Sequence, residues 1–569
     1  MNQNTGRYAV LRQLKADGMT DIFGNPGTSE QSLLDLLRLE EFADIKYYLG
    51  LHEGPVVAMA DAYARYRKKP VAVQLHSYAG LANGLGMLFY ARRGYTPMVV
   101  IVGEAGLRYE AMDGQMAADL VTMARPFVKS DQNGPCVWRA VEEHSILRLL
   151  RRAIKCAGTP PFGPTLLVLP MDVLERINTE EVTCTTFPDT RIAPSRESLA
   201  RAADLLLAAR QPVILMGDGI AASQAMTELA TLAALLGATV YGANNSEVNM
   251  SALDPLHGGD TGHMFGTHSQ KLLATADVVL ICGTTVLPEV FPLTEGVFAA
   301  GTRLIQFDLN SAEIAKNFPA VVAGIGDPGL VLGGLIERIR GRQTPEEKRL
   351  AEARCREAAN RRAEANPAPT GHPAPRAGGG LHASQFIQPL AERIGNDGVE
   401  TVIFDEALTN SPEVTRLLPP AGANSFFQTR AGMLGTGLPG TVGLKVAAPG
   451  KRVVGFVGDG GGISTIQALS TAARYKLGAK FVICNNRSYR ILKYNLQAYW
   501  TDWLNQPATQ PFPDPFDLEK SALRFDLLAQ GLGVGATRVS NESEIKPAID
   551  AMLAGDEPYL VDLVLDKEL

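Results

Sequence analysis

RVVGFVGDGGGISTIQALSTAARYKLGAKFVICNNRSY, residues 452–489, reads in order as an apolar strand, a glycine-rich turn, a helix, a second apolar strand and an Asn-Asn pair. Strands that are apolar on both faces are those covered by helices on both sides, so this unit predicts a parallel sheet of βαβ type. The same rhythm extends outward from it. TVIFDE (401–406) and PYLVDLVL (558–565) are strands of the same unit, and QPVILMGDG, TADVVLICG and TRLIQFDLN are strands of a middle one. Nearer the start, DIFG, IKYYLG, PVAVQLH and PMVVIVG alternate with helical patterns over Glu30–Leu39 and Gly54–Arg67. The expected fold class is α/β, with three doubly wound parallel-sheet domains over 1–185, 190–340 and 381–569. The segment 341–380, charged and then rich in Ala, Pro and Gly, reads as a linker ending in NPAPTGHPAPRAGGG.

Composition narrows the function. With 569 residues, one core is too few and three domains fit. A formal net charge of -6 without a basic run excludes an electrostatic footprint for nucleic acid, and a small-molecule substrate is expected. Six scattered cysteines, with no CxxC pair, read as buried or free thiols. The N-terminus reads as an amphipathic helix carrying Val10, Leu11 and Leu14, not as a secretion signal, and no run approaches a membrane span, so a cytoplasmic protein is expected.

The turn at residues 458–462 suits a diphosphate. Gly460, Gly461 and Gly462 let the backbone approach a ligand closely, and a helix N-terminus presents N–H groups to an anion. Magnesium prefers oxygen donors in octahedral geometry, and adjacent strand ends bring together Asp459, the Asn486 side chain and the Ser488 carbonyl. The middle domain holds a second GDG, at 217–219, followed after the same 24 residues by Asn244-Asn245. Glycines follow the later GDG where Ile220 and Ala221 follow the earlier, and the later Asn-Asn directly ends the strand FVIC. The metal is therefore assigned to Asp459 and Asn486, while Asp218 and Asn245 read as turn residues.

GDG followed at this distance by NN resembles the signature of the thiamine-diphosphate-dependent enzymes, and the order of domains resembles theirs over nearly the whole chain: pyrimidine-binding, middle Rossmann-like, diphosphate-binding. The resemblance implies thiamine diphosphate and Mg2+ as cofactors, C2-carbanion and enamine chemistry on a 2-oxo acid, and a homodimer as the minimal active unit, commonly within a tetramer. It also implies that Glu53, where a strand-like run meets a helix in YYLGLHEGPVVAMADAYAR, hydrogen-bonds the pyrimidine ring and promotes loss of the C2 proton. Read from the residues alone, Glu53 also admits a plainer role at a helix N-terminus, as a cap or an acidic dipole partner.

FGNPGTSE, LHSYAGLANGLG and RAGMLGTGLPG are similar to segments of the benzoylformate decarboxylase branch of that family. That likeness implies Thr28 near the substrate carboxylate, His76 with Ser77 at the substrate and His76 in proton transfer, Gly432 accepting from the pyrimidine amine, and Leu434 beneath the thiazolium. The residues themselves admit plainer readings: Thr28 as a turn residue, His76 as a strand-end histidine, Leu434 as core. In place of that branch's second histidine stands DPLHGG, with Asp254 at the position and His257 three residues later. The segment after the Asn-Asn pair, YRILKYNLQAYWTDWLNQPATQPFPDPFD, is longer and more aromatic than in that branch, so a different substrate is expected. A 2-oxo acid decarboxylase is the leading reading. A carboligase of the acetolactate synthase type shares the motifs, and a non-catalytic paralogue is disfavoured by the presence of Glu53, Asp459 and Asn486 together. The motifs leave a bound flavin open.

Overall fold

The apolar runs form the strands of three parallel sheets in the computed structural model, which describes residues 4–365 and 380–567. The first sheet comprises β1 (Asp21–Gly24), β2 (Lys46–Leu49), β3 (Val71–His76), β4 (Met98–Glu104), β5 (Val137–Arg139) and β6 (Pro164–Pro170), in the order 2-1-3-4-6-5. The second comprises β7 (Pro212–Met216), β8 (Thr239–Gly242), β9 (His257–Asp260), β10 (Val278–Cys282), β11 (Arg303–Asp308) and β12 (Val322–Ile325). Its order, 9-8-7-10-11-12, is the mononucleotide-binding arrangement in which the chain starts at the centre and winds outward twice. Of the last sheet, β13 (Thr401–Glu406), β14 (Arg452–Gly458), β15 (Ala479–Asn485), β16 (Gly535–Val539) and β17 (Tyr559–Val564) run in the order 13-14-15-17-16. The central strands β4, β6 and β15 are buried at every residue, as their unbroken apolar sequences require of strands covered on both faces.

Residues 4–188, 380–417 and 433–567, which carry the first and last sheets, form one compact unit. Its core is continuous: Phe23, Val57, Leu75, Leu88 and Val100 share one cluster with Leu438, Val442, Val457, Phe481 and Phe525. Two helices join the halves. Helix Glu53–Arg67 is buried without a break from Glu53 to Ala62, and every residue of helix Gly437–Ala447 is buried. They pack closely because their facing residues are small: a Cβ added at Gly443 would overlap the Met59 carbonyl. Polar ties support the contact, with Thr471 Oγ1 donating to the Leu49 carbonyl (2.8 Å) and Tyr475 Oη to the Tyr47 carbonyl (2.7 Å).

Residues 189–365 and 418–432 form the second compact unit, built on the middle sheet. Residues 418–432 belong to it because their backbone bonds there: Ala252 N donates to the Pro420 carbonyl (2.7 Å) and Gln428 N to the Ser246 carbonyl (2.8 Å). Within the segment read as a linker, Pro345–Ala365 is a helix whose Ala351 and Ala358 are buried, and Arg354 donates to the Ala209 and Arg210 carbonyls. The rest of NPAPTGHPAPRAGGG, up to residue 379, lies outside the described residues. Among the described residues no helix is long and apolar enough to cross a membrane.

The helix crossing yields a direct test. Gly443→Val inserts a branched side chain against the Met59 carbonyl, and overpacking of this kind costs about 1–3 kcal/mol. The expected outcome is a lower midpoint in thermal unfolding. An unchanged midpoint would mean that the two helices do not approach this closely.

Candidate active site

In open α/β sheets the carboxyl ends of strands form the ligand crevice, above all where strand order reverses. In the first sheet the reversal lies between β1 and β3, so Asn25, one residue beyond β1, and His76, the last residue of β3, stand side by side. Helix Glu53–Arg67 starts beside them. Its N-cap is His52, whose Nδ1 accepts from Gly54 N (3.1 Å), so the cap does not consume the neighbouring carboxylate. Glu53, buried, instead accepts from Asn25 Nδ2 (2.9 Å) at one oxygen and from Asn83 Nδ2 (2.9 Å) at the other. Two side-chain amides fix the carboxylate's orientation without neutralising it. Gly80 gives this group room, since a Cβ there would lie 3.1 Å from Glu53 Oε1.

His76 is held as firmly. Its Nδ1 meets Glu30 Oε2 at 2.9 Å and Ser29 Oγ at 3.0 Å, and Glu30 also accepts from Ser29 Oγ (2.8 Å) and Gly27 N (3.1 Å). A carboxylate on Nδ1 selects the tautomer with its proton on that nitrogen, which leaves Nε2 for other chemistry. Gly27 must be glycine, because a Cβ there would overlap the imidazole. Ser77, fully buried, takes φ +50°, a conformation unfavourable for any residue with a Cβ, and strain of this kind gathers at functional turns. Its hydroxyl donates to the Met116 carbonyl at 3.4 Å. Thr28, next to Gly27 in the segment after β1, is exposed.

The second half of the candidate site lies at the carboxyl ends of β13, β14 and β15. Asp459, 4% exposed, accepts from Gly460 N (2.8 Å) and Ser488 N (3.3 Å), while Asn486 Oδ1 accepts from the same Ser488 N (2.9 Å). Asp459, Asn486 and the backbone at Ser488 are thereby gathered at one point. Burial pushes the Asp459 carboxyl up to about 6, against the pull of the Gly460 and Ser488 amides. A buried carboxylate beside a side-chain amide oxygen is a hard-oxygen pair of the kind that fits Mg2+. The glycines of the turn beside it are fixed by packing: a Cβ at Gly460 would collide with the Tyr489 ring, and one at Gly461 would lie 3.2 Å from Glu406. The buried hydroxyls of Thr436 and Thr465 have no hydrogen-bond partner among the described residues.

Glu406, which inspection of the sequence did not single out, organises this side. It ends β13, is fully buried, and accepts from Gly435 N (2.5 Å) at one oxygen and Gly437 N (2.5 Å) at the other. Burial lifts its pKa to about 7 against those same amides. The clamp holds the turn before helix Gly437–Ala447, where Gly432 and Gly435 take φ +68° and +82°. Leu434, within that segment, is 40% exposed, which removes it from the core. Asn25, Asn83, Ser29 and Glu30 were also missed. Glu30 and Ser29 stand in the quoted FGNPGTSE, but nothing in that string shows that they reach His76 across 46 and 47 residues of chain.

The earlier GDG is built differently. Asp218 Oδ1 accepts from Ser246 N (2.9 Å), Glu247 N (3.0 Å) and Asn249 Nδ2 (3.1 Å), and Oδ2 pairs with the Ser246 hydroxyl and with Arg430 Nη1 at 3.8 Å. Asn245 Nδ2 donates to Asp260 Oδ1 (3.2 Å). These side chains lock a loop, and a guanidinium already occupies the place a cation would take. Asp254 Oδ1 accepts from Leu256 N (2.8 Å) and His257 Nδ1 from Gly259 N (3.2 Å), so both act within their own turns. Burial lowers the His257 pKa.

A β1–β3 crevice holding an oriented carboxylate and histidine, with a diphosphate turn beside an oxygen-donor set, places the protein in a class: the chain belongs to the thiamine pyrophosphate enzymes. The family's N-terminal TPP binding domain matches residues 4–123, its central domain 199–335 and its C-terminal TPP binding domain 410–563. The family contains decarboxylases and carboligases, and the chain is similar to both. It is 28% identical to benzoylformate decarboxylase of Pseudomonas aeruginosa over 579 residues, covering 98% of each chain. To the probable acetolactate synthase large subunit of Methanococcus aeolicus the identity is 25%, covering 99% of this chain and 92% of that one. Among solved structures, the thiamine diphosphate-dependent 4-hydroxybenzoylformate decarboxylase of Rhodococcus jostii superposes with a TM-score of 0.83 at 25% identity, covering 99% of each chain.

The Glu406 clamp predicts a measurable defect. Glu406→Gln sets an amide N–H2 against one of two main-chain N–H groups, leaving a buried donor unpaired at a cost of about 1–3 kcal/mol. A lower thermal midpoint together with weaker thiamine-diphosphate binding is expected. Wild-type values for both would show that the clamp is not needed to hold the Gly435–Gly437 turn.

Proposed function

We propose that this chain is a thiamine-diphosphate- and Mg2+-dependent decarboxylase of a 2-oxo acid, with a homodimer as its minimal active unit, assembly to a tetramer, and a cytoplasmic location. The observation that carries the reading is His76, fixed through Nδ1 by Glu30 and Ser29 at the end of β3, a rigidly held imidazole whose Nε2 is left to take up and pass on a proton. Decarboxylation leaves a carbon that must be protonated before product leaves, whereas ligation needs no such donor at that step.

Bound thiamine diphosphate would supply the carbon nucleophile and the sink for the electrons released with carbon dioxide. Asp459, Asn486 and the Ser488 carbonyl would hold Mg2+, and the Gly460–Gly461 turn the diphosphate. Glu53 would exchange a proton with the pyrimidine ring, and Asn25 and Asn83 keep its carboxylate aimed. Gly432 and the exposed Leu434 are proposed to meet the pyrimidine and thiazolium rings. Thr28, exposed beside the buried Ser29, and Ser77 are proposed to face the substrate with His76. A carboligase of the acetolactate synthase type is the second reading, favoured by the similarity to the archaeal synthase subunit. Incubation with a panel of aromatic and aliphatic 2-oxo acids, with and without an acceptor aldehyde, separates the two: aldehyde product supports the decarboxylase, and a ligated hydroxyketone as sole product overturns it.

The two proton-transfer groups are separable. Glu53→Gln should lower both proton–deuterium exchange at thiamine C2 and turnover by at least ~100-fold, whereas His76→Ala should lower turnover and spare exchange. Loss of both activities in His76→Ala would assign His76 to activation or to structure. Loss of neither would leave it a strand-end histidine.

The two GDG segments provide a further contrast. Asp459→Ala removes the only carboxylate of the proposed metal site and should abolish Mg2+-dependent thiamine-diphosphate binding, while Asp218→Ala should leave that affinity within about threefold. Isothermal titration of both variants decides this. The reverse ranking would move the metal to the middle domain.

A further inference from the structure

Two of the six cysteines meet. Cys136, buried just before β5, and Cys156, partly exposed in the last turn of helix Ile146–Ala157, lie with Asp131 so that the two Sγ atoms and a carboxylate oxygen are all within 4.8 Å of one another. The backbone around them is firmly held: Cys136 N donates to the Lys129 carbonyl (2.8 Å), Leu166 N to the Cys136 carbonyl (3.1 Å) and Lys129 N to the Pro164 carbonyl (2.8 Å). Lys129 Nζ, buried, donates to the Cys156 and Thr159 carbonyls, both at 2.7 Å, tying the helix end to the hairpin of Ser130–Asp131 and Gly134–Pro135. Cys156 Sγ donates to Asp131 Oδ2 at 3.9 Å. The Cys136 thiol holds the Cys156 thiol down at about 7 against burial and the Asp131 charge, with help from the Lys129 ammonium, while Cys136 itself is raised. A partly exposed thiolate backed by a buried thiol is the arrangement of a reactive cysteine and its resolving partner.

We propose that Cys136 and Cys156 are a peroxide-responsive thiol pair that closes to a disulfide between the edge hairpin and helix Ile146–Ala157. The Cys156 thiolate attacks one oxygen of hydrogen peroxide; the O–O bond breaks, hydroxide leaves, and Cys156 becomes a sulfenic acid. The Cys136 thiol then attacks that sulfur, the S–S bond forms as the S–O bond breaks, and the hydroxyl leaves as water with the thiol proton. A small-molecule dithiol restores both thiols by exchange, itself becoming a disulfide. The pair sits at the amino end of β6, beside Pro164 and Leu166, whereas His76 ends β3 at the carboxyl edge of the same parallel sheet. A divalent metal is the competing occupant of two thiols and a carboxylate, and the Lys129 charge beside them opposes it.

The test is a non-reducing peptide map of the holoenzyme after hydrogen peroxide. A Cys136–Cys156 peptide lighter by two hydrogens and reversed by dithiothreitol is expected, with Cys184, exposed, and Cys355, partly exposed, still free to alkylate. Cys136→Ser should leave a sulfenic acid at Cys156 that dimedone traps, and Cys156→Ser should give no cross-link while turnover stays within about twofold. Oxidation of Cys184 or Cys355 with the pair left reduced would overturn the proposal, as would overoxidation of Cys156 without a cross-link. One equivalent of Zn2+ that shields both thiols of the untreated protein from iodoacetamide would make the cluster a metal site instead.

Discussion

The close crossing of helix Glu53–Arg67 over helix Gly437–Ala447 is the constraint on which the larger unit rests. Helix Gly437–Ala447 is buried along its whole length and helix Glu53–Arg67 from Glu53 to Ala62, and only their small residues let the backbones approach as they do at Gly443 and Met59. Each helix begins at a functional turn. The N-terminus of the first carries Glu53, and the turn before the second is the one that Glu406 grips. A shift in the crossing would therefore move both turns at once, which ties stability to the geometry of chemistry.

Three buried carboxylates are kept in three ways. Glu53 is satisfied by two neutral side-chain amides, one at each oxygen, an arrangement that holds it in place. Glu406 is satisfied by main-chain N–H groups alone and shapes a loop. Asp459 shares the Ser488 amide with Asn486, so two oxygen donors converge on one point. Burying a carboxylate without a counter-charge is costly, and such groups persist where the arrangement is used. In the first sheet, the Glu30–His76 contact completes the set by fixing which imidazole nitrogen faces outward.

The repeated GDG shows how one local pattern serves two purposes. Both copies end a parallel strand and open a helix, as the architecture requires. Asp218, however, is consumed by four donors and lies beside Arg430, whereas Asp459 accepts main-chain amides and faces Asn486. The difference comes from segments remote in sequence, residues 246–249 and 430 for the first copy and residues 486–488 for the second.

Much was legible in the sequence because the signals were local. Unbroken apolar runs between glycine-rich turns specified the parallel sheets, and GDG followed by Asn-Asn, with Glu53 at a strand–helix turn, resembles the signature of the thiamine-diphosphate enzymes. The helix Pro345–Ala365 within a segment read as linker escaped because its charged surface hides a narrow apolar stripe of Ala351 and Ala358. Only the tertiary structure decided the partners of the functional groups. Asn25 and Asn83 reach Glu53 across 28 and 30 residues, Glu406 reaches Gly435 across 29, and Cys136 meets Cys156 from a different element. Side-chain pairs at such separations leave no periodicity in a single chain, since they arise from the order in which parallel strands are laid side by side.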